Sequence, residues 1–151
     1  MGRMKHAKRI RRKLNKGSKM NKVEAIEAYK QAIRVNPDDA EAHYNLGYAY
    51  GNIGMYEEAI EAYKPAIRIN PDFAEAHNNL GYAYGNIGMY EEAIEAWKQV
   101  IRIDTDNAVA HVNLGNAYVC LNDTGSALEQ HKILKSIDLE LANDLFNSIY
   151  E

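Results

Sequence analysis

An all-α fold of stacked antiparallel helix pairs is predicted by three features of this 151-residue sequence. It repeats with a period of 34, each copy carries two stretches of helical apolar spacing, and Gly, Asn and Pro punctuate the intervals. Residues 40–73 and 74–107 differ only at Tyr44/Asn78, Tyr63/Trp97, Pro65/Gln99, Ala66/Val100, Asn70/Asp104, Pro71/Thr105 and Phe73/Asn107, so 27 of 34 positions match. A more diverged copy covers residues 108–141 and the second half of an earlier one covers 23–39, about three and a half copies in all. No single copy can bury its apolar face alone, so stability is close to a sum of repeat and nearest-neighbour terms.

Residues 1–22 form a basic arm in which Met4, Ala7, Ile10 and Leu14 recur at intervals of three or four. The end of a repeat stack has to be covered, so a basic helix packed as a makeshift first helix is expected there, with Lys16–Lys22 as a loop around Gly17. Val23–Val35 reads as the second helix, helix B, of an incomplete copy. In the first full copy, Ala40–Asn52 places Ala42, Leu46, Ala49 and Tyr50 at helical spacing and Gly54 lets the chain turn; this is helix A. Glu57–Ile69 is helix B, with Ala59, Ile60, Tyr63, Ala66 and Ile67 on one stripe. Glu57 and Glu58 in its first turn and Arg68 in its last suit the helix dipole. Asn70-Pro71-Asp72 ends it, because proline cannot continue the hydrogen-bond ladder. Pro65 inside this helix removes the bond to the Glu61 carbonyl at about 3 kcal/mol in an ordinary helix, so a kink on the convex side is expected. Residues 74–107 and 108–141 repeat the scheme, and Glu140–Tyr150 puts Leu141, Leu145, Phe146 and Ile149 on one face, which makes residues 142–151 a capping helix over the third copy.

These positions carry a resemblance to the tetratricopeptide repeat (TPR). Its pattern of a bulky residue, Leu-Gly, an aromatic, Ala, a second aromatic, Ala and a closing Pro is met by His43, Leu46-Gly47, Tyr50, Ala59, Tyr63, Ala66 and Pro71. The next copy offers His77, Leu80-Gly81, Tyr84, Ala93, Trp97, Val100 and Thr105, and the third His111, Leu114-Gly115, Tyr118, Ala127, His131, Leu134 and Leu139. The departures at His131 and at the closing proline imply a loosened last repeat. The resemblance implies a right-handed α-solenoid over residues 23–141, with helix A of each copy lining a concave groove. Its Asn-Leu-Gly triplets are similar to repeat arrays of bacterial TPR proteins and of O-linked N-acetylglucosamine transferases, although nothing in this chain corresponds to a transferase domain.

Composition narrows the function. At 46% hydrophobic and 26% charged residues the chain is neither disordered nor collagen-like. A single cysteine, Cys120, permits no intramolecular disulfide, and neither a signal-peptide core nor an apolar run of about 18 residues is present, so a cytoplasmic protein is expected. The net charge of −3 hides an asymmetry: ten of the 18 Lys and Arg lie in residues 1–22 without any acid, leaving eight against all 21 acids of the body.

By analogy with the family, the groove is lined by Glu41, Tyr44, Asn45, Tyr48 and Asn52 from the first copy, Glu75, Asn78, Asn79, Tyr82 and Asn86 from the second, and Val109, Val112, Asn113 and Asn116 from the third. Asn45, Asn79 and Asn113 recur once per copy, and an amide that both donates and accepts can bond the main chain of an extended peptide without reading its side chains. The bland alternative is that these amides tie down neighbouring backbone. Where the family clamps a terminal carboxylate with Lys and Arg, this chain has Tyr44, Tyr48, Glu75 and Val109, so neutral to basic ligands are expected. In the arm, Lys8, Arg9, Arg11, Arg12 and Lys13 resemble arginine-rich RNA-binding peptides and are candidate phosphate contacts, without an aromatic residue to stack on bases. A membrane-surface helix and an artificial leader with a Gly17-Ser18 scar are further readings of the same arm.

No cofactor, metal site or catalytic set is expected. His43, His77 and His111 are spaced by whole repeats, too far apart to share a zinc ion, and read as packing at the bulky position. Cys120 lacks a neighbouring base and is expected as a small buried group. The expected function is a non-enzymatic module that binds an extended partner segment in its groove. The alternatives are an RNA- or ribosome-associated adaptor using the arm and a scaffold that assembles end to end as a homo-oligomer.

Overall fold

The computed structural model describes residues 21–151. Among them are eight α-helices and no strand: α1 Lys22–Val35, α2 Ala40–Gly51, α3 Tyr56–Ile69, α4 Ala74–Asn86, α5 Tyr90–Ile103, α6 Ala108–Cys120, α7 Thr124–Ile137 and α8 Leu139–Tyr150. The arm helix expected within residues 1–22 lies outside the described residues, Asn21 and Lys22 apart. The chain divides into two compact units, Met1–Phe73 and Ala74–Glu151.

Helix ends follow local chemistry. Asn21, Asp39, Asn107, Asp123 and Asp138 cap α1, α2, α6, α7 and α8 by accepting a backbone N–H one turn in, and Asn21 forms a reciprocal capping box with Glu24. The Ser126 hydroxyl donates to Asp123 at 2.6 Å and its backbone N–H at 3.0 Å, and these two bonds hold the carboxyl below its ordinary 3.8. The tight A-to-B turns need positive φ, which Gly54 and Gly88 supply at 77° and 78° and Asn122 at 58°. Glu27–Lys30, Glu61–Lys64 and Glu95–Lys98 repeat one i,i+3 ion pair on the exposed side of α1, α3 and α5.

In the first unit α2 packs against both α1 and α3. Ile26, Leu46, Ala49 and Ala62 form its core, bordered by Tyr29, Ile33 and Tyr50. The close approach of α2 and α3 rests on Gly47, where a Cβ would lie 2.6 Å from the Tyr63 ring. A cleft of about 650 Å³ lies between α1, α2 and α3, floored by Ile33, Leu46 and Tyr50 and walled by Lys30, Glu57 and Pro65. α3 runs from Tyr56 to Ile69 as one helix with Pro65 inside it.

The second unit contains the pairs α4–α5 and α6–α7, with α5 also against α6 and α8 against both α6 and α7. Its main core joins Ala93, Ile94, Trp97 and Val100 of α5 to Ala110, Leu114 and Ala117 of α6. A second cluster, Leu134, Ala142 and Leu145, seats α8, with Val112 and Ile149 at its edge. The last pair solves the loss of its aromatic differently from the sequence expectation: His131 leaves the notch over Gly115 and meets Phe146 at 5.3 Å, while Leu145 of α8 fills the notch. Of the predicted apolar face of α8, Leu145 is 1% exposed but Phe146 is 43% exposed.

Two more expectations are decided by the packing. His43 and His111 each bond through Nε2 to a carbonyl six residues earlier, of Pro37 at 2.8 Å and of Thr105 at 2.9 Å, and His111 Nδ1 meets Gln130 Oε1 at 2.8 Å. These histidines therefore latch the B-to-A turns. Cys120 is exposed, against the expectation of a buried group, because it is the last residue of α6, beyond the stretch of that helix that enters the core. The Tyr90 hydroxyl bonds its thiol, which raises the phenol above its ordinary 10.0.

Candidate functional site

The helix A surfaces left open by the pairing are the candidate site. On α2, Glu41 and Tyr48 are exposed, and Tyr44 and Asn45 are half-buried. Tyr44 belongs to an aromatic cluster, with ring centroids 4.8 Å from Phe73, 6.0 Å from Tyr63 and 6.3 Å from Tyr48. It anchors the exposed Tyr48 on the core of its unit. Asn52 is the C-cap of α2 and its carbonyl accepts from Lys22 Nζ at 3.1 Å, so its backbone is tied to α1. Burial and, to a lesser degree, the Glu41 carboxylate raise the Tyr29 hydroxyl above its ordinary 10.0.

In the second unit α4 and α6 bring predicted residues together. Tyr82, 43% exposed, donates its hydroxyl to Asn113 Oδ1 at 3.4 Å and meets the Trp97 ring edge-on at 5.8 Å. Asn113 Nδ2 is buried without a hydrogen-bond partner, and so is Trp97 Nε1. On the same two helices Glu75, Asn86, Val109 and Asn116 are exposed, and Asn78 and Asn79 are half-buried. Asn86 Nδ2 folds back onto the Tyr82 carbonyl at 2.8 Å, which commits its donor to its own helix. Val112 packs against the Leu134–Ala142–Leu145 cluster, so α8 closes the third copy's share of the face at that point.

Neither α2, α4 nor α6 carries a Lys or Arg, while Glu41 and Glu75 lie exposed on two of them. In each unit the helix A face therefore has a negative bias with aromatic area and amide donors. Lys8, Arg9, Arg11, Arg12 and Lys13 lie outside the described residues. Among the described residues no group of three or more His, Cys, Asp or Glu is placed to hold a metal ion, and no helix is long and apolar enough to cross a membrane.

Comparisons with known proteins agree with this architecture. A family model for the TPR repeat matches residues 23–54, 53–88 and 87–121, each match running from a helix B into the following helix A and leaving α7 and α8 beyond the last one. No curated protein matches the chain significantly. Among solved structures, one crystal structure of MamA is 30% identical with a TM-score of 0.75, covering 81% of this chain and 71% of that one. A second MamA structure is 25% identical with a TM-score of 0.76 over 97% of this chain and 87% of that one. A structure titled MamA AMB-1 shares the fold at 23% identity and a TM-score of 0.70, over 78% and 66% of the two chains. In all, 273 solved chains match, so the likeness identifies a widely used repeat architecture. The chain is a protein-interaction or scaffold module, and it belongs to the tetratricopeptide-repeat family.

Proposed function

We propose that the chain binds an extended, neutral to basic segment of a partner protein on its helix A faces, with no chemical step of its own. The observation that carries this reading is Asn113, whose buried Nδ2 lacks an acceptor while its Oδ1 is held by the exposed Tyr82. A buried donor left unpaired costs about 1–3 kcal/mol, and a peptide carbonyl arriving beneath Tyr82 relieves that cost. Exposed tyrosine rings add contact area at low side-chain entropy cost, and Glu75 favours a cation on the ligand. In this reading Asn45 serves the same main-chain role on the helix A face of the first unit, beside Glu41 and Tyr48, and Asn79 serves it in the second, where Asn116 lies exposed on α6.

The test is selection from a displayed library of unstructured peptides, followed by fluorescence anisotropy with the full chain and its Asn113→Ala variant. Selected peptides are expected to be neutral or basic and to bind Asn113→Ala about 3- to 10-fold more weakly, the worth of one net hydrogen bond. Equal affinity for both forms, or selection of acidic peptides, refutes the reading. A structured RNA titrated in parallel addresses the adaptor alternative through Lys8, Arg9, Arg11, Arg12 and Lys13.

A further inference from the structure

We propose that the cleft between α1, α2 and α3 binds one arginine side chain of a partner protein. The proposal starts from the same positions two periods later, in the second unit. His111 stands on α6 as His43 does on α2, and each donates its Nε2–H to a carbonyl six residues earlier, so the two rings are held alike. That bond leaves Nδ1 of each neutral ring as an acceptor. His111 Nδ1 is occupied by the side-chain amide of Gln130 at 2.8 Å. The residue in the first unit that corresponds to Gln130 is Ala62, which has no polar atom to offer, and among the described residues His43 Nδ1 has no hydrogen-bond partner. His43 and Ala62 both line the cleft.

The wall of the cleft carries the complementary charge. Glu57 and Glu58 stand in the first turn of α3 where the second unit has Gly125 and Ser126, and Glu58 lies one turn from Ala62 on the same face of the helix. Pro65, one turn beyond Ala62, replaces the amides Gln31 and Gln99 of α1 and α5 and leaves that part of the wall apolar. On the other side Lys30 is engaged with Glu27 at 3.3 Å and with the Tyr50 ring at 5.9 Å, while Glu61 is held by Lys64. An imidazole acceptor and two carboxylates therefore border an apolar floor, with Arg34 across from them.

A guanidinium suits this set. It is donor-only, its fork of N–H groups can serve a carboxylate and the imidazole acceptor together, and its aliphatic stem can lie along the floor. An ammonium is a compact, strongly hydrated charge and spans the two acceptors less well. A carboxylate would meet Glu58 and an acceptor nitrogen, and Arg34 disfavours a run of cations, so the occupant is a single arginine in an otherwise neutral segment. Neither Asn113 nor Tyr82 lines the cleft, and the inference is independent of the peptide-binding reading.

The experiment titrates the isotope-labelled full chain with a capped alanine–arginine–alanine tripeptide, and with its citrulline counterpart, which keeps the shape without the charge. Saturable NMR shifts of the Ala62 methyl and the His43 ring are expected with arginine and not with citrulline. Ala62→Gln, which installs the partner that His111 has, is expected to abolish the His43 shift. Ala62 is 6% exposed, so should that variant fail to fold, Glu58→Ser decides: it copies Ser126 at an exposed position and is expected to weaken binding about 3- to 5-fold, whereas Asn113→Ala leaves it unchanged. Equal shifts with citrulline, no shift at Ala62 and His43, or a Glu58→Ser chain that binds like the parent overturns the proposal.

Discussion

Two glycines four residues apart on α4 respond oppositely to the same methyl group if Trp97 sets the spacing of α4 and α5. An alanine Cβ at Gly81 lies 2.6 Å from Trp97 Cε2 and 2.7 Å from Nε1, roughly 1 Å inside an ordinary carbon contact. Trp97 is 5% exposed and belongs to the core that α5 forms with α6. Overpacking of this kind against a rigid ring costs about 2–3 kcal/mol, the upper part of the usual range, against about 1 kcal/mol gained by replacing glycine in a helix, so Gly81→Ala is expected to lose about 1–2 kcal/mol. At Gly85 the nearest atom is Trp97 Cη2 at 3.6 Å, an ordinary contact, and Gly85→Ala is expected to gain up to about 1 kcal/mol. Urea unfolding measures both, and since Trp97 is the only tryptophan, intrinsic fluorescence reports on the second unit specifically. In a Trp97→Leu background, followed by circular dichroism because the fluorophore is gone, the notch loses its indole and Gly81→Ala should change sign, a coupling of about 1–3 kcal/mol in a double-mutant cycle. A Gly81→Ala protein as stable as the parent, or one damaged equally in the Trp97→Leu background, refutes the argument.

Two further outcomes follow from the last pair. Asn122→Gly relieves a positive φ that Gly54 and Gly88 adopt at the matching turns, and should raise Tm by roughly 2–4 °C, the shift expected for about 1 kcal/mol in a chain of this size. An unchanged or lower Tm would show that Asn122 holds its turn by a contact of its own. Leu145→Ala empties the notch over Gly115 and is expected to cost about 2–5 kcal/mol, read by hydrogen exchange as loss of protection concentrated in α8; protection falling evenly through the second unit would mean that α8 is not a separate seal.

Much of the fold was legible because it is encoded locally and then repeated. The recurrence of Leu-Gly, of alanines at helical spacing and of Asn-Pro-Asp stops places helix ends within a residue or two of those observed, as at Ala40–Gly51 and Tyr56–Ile69. Less of the candidate site was legible. Asn52 and Asn86 share a column with each other and with the exposed Cys120, yet Asn86 bonds back to Tyr82 and the Asn52 carbonyl is held by Lys22 from 30 residues away. Asn45, Asn79 and Asn113 look alike in sequence; that the Asn113 amide has an orphaned donor depends on where Tyr82 and α6 come to rest. Repetition signals that a position matters but not which neighbour it meets.

The period of 34, the helix–turn–helix unit, the charge division between arm and body, and the absence of cations from the helix A faces were determined by the sequence alone, since each depends on residues close along the chain or on their count. Tertiary structure decided the rest: that Leu145 rather than His131 fills the notch over Gly115, that His43 and His111 latch turns, and that Val112 is claimed by α8. The physical reason is that helix formation follows short-range spacing and capping, whereas filling a notch is a competition among side chains brought together only by packing, and volume settles it.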